Sequence, residues 1–257
     1  LRDLDGVIGG LNKSDLILVA ARPGMGKTTI ALNIASHVAK TTGKTVAVFS
    51  LEMSREQLAM RLVANESFVD NKKLQTGKLD DDDWAKISTA ADALSHTDIR
   101  VDDNPMINVA EMNALCRRLS DTLGLVVVDY LQLMTSASGK ESENRATAVA
   151  EITRALKIMA KDLNVPVMVL SQLNRANADR KDKRPQLSDL RESGAIEQDA
   201  DQVIFLYRDD YYNENPAEQN VAEIIIRKNR HGETNTVKVR WLPQFYTFAD
   251  MEWKHTE

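Results

Sequence analysis

Ala21-Arg22-Pro23-Gly24-Met25-Gly26-Lys27-Thr28 stands between an apolar run and an amphipathic one. Two glycines, a lysine and a hydroxyl at this spacing make a phosphate-binding loop, with Ala21 where the strict pattern G-x-x-x-x-G-K-[ST] has Gly. The chemistry needs backbone N–H groups aimed at phosphates from a helix N-terminus, where the helix dipole also favours an anion. Gly24 and Gly26 let the backbone turn and approach closely. Lys27, on a solvent-facing loop, is expected to reach the β- and γ-phosphates of ATP and Thr28 to ligate Mg²⁺. Arg22, Pro23, Met25 and Thr29 complete the expected nucleotide cradle. Ala at the first position asks only that this residue avoid positive φ. The bland alternative is a helix start that shares these letters by chance.

Three more polar residues follow apolar runs. Asp129 comes after Leu125-Val126-Val127-Val128. A carboxylate at the carboxyl end of a buried strand faces the ligand crevice of an open α/β sheet, and Asp129 is expected to hold Mg²⁺ through water. Taken alone, it could be a turn Asp. Glu52 follows Val46 to Leu51 in the same way and could orient and deprotonate an attacking water. It could equally be a charge in the first turn of the next helix. Gln172, after Val169-Leu170-Ser171, could sense the γ-phosphate or be a solvated loop amide.

The elements around these residues read as α/β. Leu16 to Ala20, Val46 to Leu51, Ile99 to Val101, Leu125 to Val128, Val165 to Leu170 and Gln202 to Tyr207 read as strands. Lys27 to Ala39, Asp82 to Leu94 and Glu143 to Leu163 carry helical spacing. Ser54 to Gln57 reads as a capping box opening another helix. Asn108 caps a helix expected to run to about Leu123, with Gly124 at its C-terminal end. Such alternation predicts a mostly parallel twisted sheet with helices on both faces. Ala222 to Arg227, Thr236 to Trp241 and Tyr246 to Phe248 have no helices between them, so they are expected as antiparallel hairpins on the sheet edge. Ser136 to Asn144 and Asn177 to Pro185 are expected to be mobile loops.

Composition restricts the partners. The net charge of −5 argues against a protein that coats duplex DNA with its whole surface, so any nucleic-acid site must be local. Aromatics at 5% leave no extended base-stacking platform. The lone Cys116 cannot form an internal disulfide, which fits a reducing cytosol. No apolar run reaches the length of a membrane span, so no membrane association is expected. The chain opens on Leu1 rather than Met, as expected of a fragment.

Together "FSLEMS" around Glu52, "VVVDYLQLM" (126–134), "LSQLNR" (170–175), "LSDLRESGAIEQDAD" (187–201), "FLYRDDYY" (205–212) and "IIIRKNRHG" (224–232) resemble the C-terminal motor domain of bacterial replicative DNA helicases of the DnaB type. The resemblance runs in order over essentially the whole chain. It implies a RecA-like P-loop NTPase core, a homo-hexameric ring, and 5′ to 3′ movement on single-stranded DNA driven by ATP with Mg²⁺. It implies that Lys27 and Thr28 contact phosphate and metal, Glu52 is the catalytic base, Asp129 the Mg²⁺-associated carboxylate and Gln172 the γ-phosphate sensor. Lys228 and Arg230 match a pair that reaches into the neighbouring subunit's site. Arg191, Glu192 and Gly194 match a channel loop that touches the DNA backbone. Residues 1–257 are then expected to be one motor domain lacking the family's N-terminal domain and linker helix. For the full-length protein a primase and a helicase loader are expected partners, in the cytoplasm at the replication fork.

Two other functions share this core. A RecA-type recombinase would form filaments and exchange strands. A nucleotide-switched assembly module would not translocate and would have no need of a hydrolytic base such as Glu52.

Overall fold

In the computed structural model, the described residues are 1–129, 145–173, 180, 182–213, 216 and 218–251, with backbone alone at 145, 146 and 191–195. The chain opens with helix α1 (Arg2–Ile8), strand β1 (Leu16–Ala21), α2 (Lys27–Thr42) and β2 (Thr45–Ser50). Three helices, α3 (Arg55–Ser67), α4 (Asn71–Thr76) and α5 (Asp81–Ser95), lead to β3 (Ile99–Asp102), α6 (Val109–Arg117) and β4 (Leu123–Asp129). Then come α7 (Arg145–Leu163), β5 (Val167–Gln172), a 3-10 segment Leu187–Ser193, α8 (Gly194–Asp199) and β6 (Gln202–Arg208). β7 (Val221–Asn229), β8 (Thr236–Leu242) and β9 (Thr247–Asp250) finish the sheet.

All nine strands join one sheet in the order β3-β2-β4-β5-β1-β6-β7-β8-β9. The first six in that order are parallel, and β6-β7-β8-β9 are antiparallel. A central parallel strand is covered on both faces, so it reads as an unbroken apolar run. β1 is such a strand, with all six residues buried. Its side chains alternate between two cores. Leu16, Leu18 and Ala20 meet Met112 and Cys116 of α6, Leu156 of α7 and Ile196 of α8. Ile17, Val19 and Ala21 meet Leu4 of α1, Ile30 and Ala35 of α2 and Leu58 of α3. The expected two-faced sheet with C-terminal antiparallel strands is what the chain forms.

Local signals set the helix starts. Ser54 and Gln57 form the expected reciprocal capping box at α3, and Asp80 with Asp83 and Asn108 with Glu111 do the same at α5 and α6. The expected course of α6 needs correction. The helix stops at Arg117, and Gly124 lies inside β4 rather than at a helix end. Thr45 pairs with Leu123 and Val46 with Leu125, so Gly124 is the extra residue of a bulge. A Cβ there would sit 2.7 Å from Cβ of Lys44, so the glycine admits a close approach of the chain leading into β2 rather than forming a left-handed cap. α4 has one apolar residue, Leu74, too few to show a helical period, and α1, with Leu4, Val7 and Ile8, spans only about two turns, too short for a period to stand out. The expected loop 136–144 lies outside the described residues, as does most of the first part of 177–185.

Candidate nucleotide site

The carboxyl ends of β2, β4, β5 and β1 lie side by side, and each delivers one sequence-singled residue or segment. β1 ends at Ala21, which is buried and has no positive φ, so the missing first glycine changes nothing in the backbone. Leu173 N–H donates to Ala21 O at 3.0 Å, and Arg22 Nη1 donates back to Leu173 O at 3.1 Å, which pins the loop's first half to the end of β5. The Met25 side chain is buried and anchors the apex. Gly24 and Gly26 take φ of 77° and 95°, the left-handed region that side chains disfavour. Gly26 has a second reason, since a Cβ there would come within 2.7 Å of Phe248 Cζ. α2 begins at Lys27, and the N–H groups of its first turn have no acceptor within the helix. N–H groups left open in this way at a helix start suit an anion.

Asp129 closes the arrangement. It is 2% exposed. Thr28 Oγ1 donates to its Oδ2 at 2.6 Å, and Lys27 Nζ stands 3.4 Å from its Oδ1. Lys27 is therefore not on a solvent-facing loop as expected; it starts α2 with its side chain only 12% exposed. Burial pushes its ammonium below the usual lysine range, and Asp129 opposes that shift. Oδ1 of Asp129 is held by an ion pair rather than a well-directed hydrogen bond. That buried oxygen, with the Thr28 hydroxyl beside it, fits a Mg²⁺ ion that keeps most of its waters and takes one or two protein oxygens. No cluster of three acidic, His or Cys ligands occurs among the described residues, so a cage made wholly of protein is not what this site offers.

Glu52 sits in a tight turn. Ser50 Oγ donates to Met53 O at 2.7 Å and accepts from Met53 N–H at 3.1 Å. Leu51 N–H donates to the main-chain O of Asp129 at 2.7 Å, which ties this turn to β4. The carboxylate is exposed at the cleft and close enough to Lys27 to favour its charged form. Gln172, also exposed, ends β5 beside Ala21. A cleft of about 270 Å³ is lined by the loop, Glu52 and Gln172 together.

The cleft has another wall that sequence reasoning missed. Met53, Arg61, Trp241 and Tyr246 line it. The Arg61 guanidinium lies 4.9 Å over the Tyr246 ring, and Trp241 packs at 4.5 Å on Phe248. Tyr246 holds a left-handed φ of 47°, and Asn33 of α2 fixes its turn by donating to Tyr246 O at 3.1 Å and accepting from Phe248 N–H at 2.8 Å. No spacing rule links α3 to the last two strands, so only the fold could bring them together.

Lys228 and Arg230 are elsewhere. Lys228 pairs with Val203 near the start of β6, and β6 runs parallel to β1 with Gln202 level with Ile17. The phosphate loop is at the other end of β1. Lys228 Nζ donates to Glu197 O at 2.5 Å and Gln198 O at 3.2 Å, and Arg230 Nη2 to Gln198 O at 3.0 Å. Burial and the Arg230 charge lower the Lys228 pKa. Arg191 and Glu192 lie in the 3-10 segment and Gly194 starts α8; beyond this backbone, these three expected DNA contacts fall outside the described residues.

A family model for the C-terminal domain of DnaB-like helicases matches residues 1–250. The replicative DNA helicase DnaB of Geobacillus stearothermophilus is 49% identical over 257 residues, which cover 99% of this chain and 56% of that protein. The replicative DNA helicase DnaC of Bacillus subtilis strain 168 is 48% identical over 252 residues, covering 97% of this chain and 55% of that one. Among solved structures, one of an ATPase domain superposes with a TM-score of 0.93 at 36% identity, over 98% of this chain and 89% of that chain. A DnaB-like replicative helicase, described with its interactions with primase, gives 0.94 at 36% identity, over 98% and 61%. The chain spans about half the length of the curated relatives it matches.

Proposed function

This chain belongs to the family of DnaB-like helicase C-terminal domains, and from that premise we propose that it is the ATP-hydrolysing motor of a replicative DNA helicase. It works as a homo-hexameric ring that moves 5′ to 3′ along single-stranded DNA and opens the duplex at the replication fork. The observation that carries the catalytic reading is the convergence of Lys27, Thr28, Asp129, Glu52 and Gln172 on one cleft.

The loop N–H groups and Lys27 bind the β- and γ-phosphates of ATP, and the incoming anion, like Asp129, favours the ammonium form that burial disfavours. Thr28 and Asp129 would hold Mg²⁺, which supplies charge neutralisation on the phosphates. Glu52 takes the proton of the attacking water, for which its exposed place at the cleft leaves room. Gln172 orients the γ-phosphate. Arg61 and Tyr246 offer a flat cation and ring at the wall where the nucleoside would lie. Lys228 and Arg230 sit at the opposite end of the sheet from their own loop, which supports a role in the adjacent subunit's cleft. Arg191, Glu192 and Gly194 touch the DNA backbone within the channel, so an acidic exterior is no obstacle. The primase-related structural neighbour supports primase as a partner, and a loader is proposed with it. No helix among the described residues is long and apolar enough to cross a membrane, and the proposed place of work is the cytoplasm, at the fork.

The test is unwinding of a forked duplex with separate 5′ and 3′ tails. Opening that requires ATP, Mg²⁺ and the 5′ tail is the expected outcome. Strand exchange on filaments without unwinding would replace this reading with a recombinase. Nucleotide binding with neither would leave an assembly module. Arg191→Ala should weaken single-stranded DNA binding equally for all sequences and flatten its salt dependence. Selective loss for one base composition would instead mean base readout.

A further inference from the structure

Arg230 is held by one residue more than any other, and that residue is Asp201. The Asp201 carboxylate is 4% exposed. Its Oδ1 lies 3.3 Å from Arg230 Nη1, and its main-chain O accepts Arg230 N–H at 3.0 Å. Its Oδ2 accepts from Leu16 N–H at 2.8 Å and from Lys157 Nζ at 2.5 Å, while its own N–H donates to Leu16 O at 2.8 Å. Lys157 also donates to Ser14 O at 2.8 Å, so its ammonium is held from two sides. Asp201 thus clamps three things at once: the first residue of the strand that carries the phosphate loop, α7 through Lys157, and the guanidinium of Arg230. A buried carboxylate with two cations and a backbone donor is held in one orientation. Arg230 itself is half exposed, and its outer nitrogen rests on Gln198 O.

We propose that Asp201 is a positioning residue for the trans-acting Arg230, setting the direction in which the guanidinium leaves its own subunit. This rests on the reading of Arg230 as a finger in the neighbouring site. Among the described residues, Asp201 bonds Leu16, Lys157 and Arg230, none of which lines its own cleft, and Leu16 is at the end of β1 far from the loop, so its loss should act on the subunit next door. Misplacing a charged catalytic group by about 1 Å costs on the order of 100-fold in rate.

The experiment uses Asp201→Asn in the full chain, assembled with Mg²⁺-ATP and oligo-dT. Asn keeps an acceptor for Leu16 N–H but turns its NH₂ or a neutral oxygen to Arg230. Turnover should fall about 10- to 100-fold, with binding of a fluorescent ATP analogue unchanged within about two-fold. The deciding readout is complementation between subunits. Ring interfaces are heterologous, so a Lys27→Ala subunit has a dead pocket but a working finger. Mixed one to one with Lys27→Ala, Asp201→Asn should recover toward about a quarter of wild-type turnover, because random mixing pairs good pockets with good fingers at about that fraction of interfaces. Mixed with Arg230→Ala it should recover nothing. Recovery with Arg230→Ala, or none with Lys27→Ala, places the defect in the subunit's own pocket and overturns the proposal. The control is Lys27→Ala with Arg230→Ala: if that pair fails to complement, the trans reading itself falls, and Asp201 with it. Should Asp201→Asn not fold, Lys157→Gln frees Oδ2 from its cation and lets the carboxylate turn. It should give a smaller loss with the same pattern of complementation, and wild-type turnover would overturn the proposal.

Discussion

Glu52 and Gly26 make opposite kinds of demand on one cleft. Glu52 is exposed and its turn is held by Ser50 and Met53, not by its own side chain. Glu52→Gln should therefore leave thermal stability unchanged and still bind ATP with Mg²⁺. Loss of a general base should lower turnover by about two to four orders of magnitude. Weakened nucleotide binding with normal turnover at saturation would make Glu52 a binding residue instead. Lys27→Ala should abolish hydrolysis in a folded chain, and retained turnover would remove the phosphate-loop assignment. Gly26 has a φ of 95° and no room for a Cβ, which would meet Phe248 Cζ at 2.7 Å. Gly26→Ala should cost about 1–3 kcal/mol in backbone strain, with a contact penalty added. Adding Phe248→Leu should relieve the contact and leave the strain, which a denaturation series on the single and double variants would separate. Complete rescue by Phe248→Leu would mean that φ matters little there.

Among the elements, Asn33 couples α2 to the turn before β9 through two hydrogen bonds to main chain. Asn33→Ala leaves Tyr246 O and Phe248 N–H to find other groups, at a cost of about 1–3 kcal/mol. Tyr246 lines the cleft, so ATP affinity should fall along with stability. An unchanged affinity in a destabilised variant would exclude Tyr246 from the nucleotide wall. The coupling also shows what could be read in advance. The phosphate loop, Asp129, Glu52 and Gln172 were legible because each is a polar break after a short apolar strand, a local pattern. The capping residues Ser54 and Asn108 were legible for the same reason. The end of α6 was not: Gly124 looks like a cap until Lys44, at the entry to another strand, is seen against it. Arg61 and Tyr246 had no local signal, because 3.6-residue and two-residue periods say nothing of contacts made across the sheet. Lys228 and Arg230 are singled out by family resemblance alone. Their hydrogen bonds to α8 carbonyls belong to the fold.

For the whole molecule, the two cores differ in what can be tested from outside. Cys116 lies in the core shared by α6 and α7, and burial pushes its thiol up to about 12. At pH 8 it should resist iodoacetamide until the fold opens, and saturating ATP should slow labelling further by stabilising the closed form. Labelling at the rate of a free thiol would mean that this core opens on its own. The other core holds a different lesson, carried by Phe248. Its main chain is bonded to Asn33 from 215 residues away, and its ring stands against Gly26. Synthesis proceeds from the N-terminus, and distant contacts form only after the intervening chain is available. A ribosome therefore releases the phosphate loop before β9, which brings the surface that shapes its back. A nascent chain halted before Phe248 carries every letter of the loop and lacks the ring behind it, and it is expected to capture ATP more weakly than the finished fold.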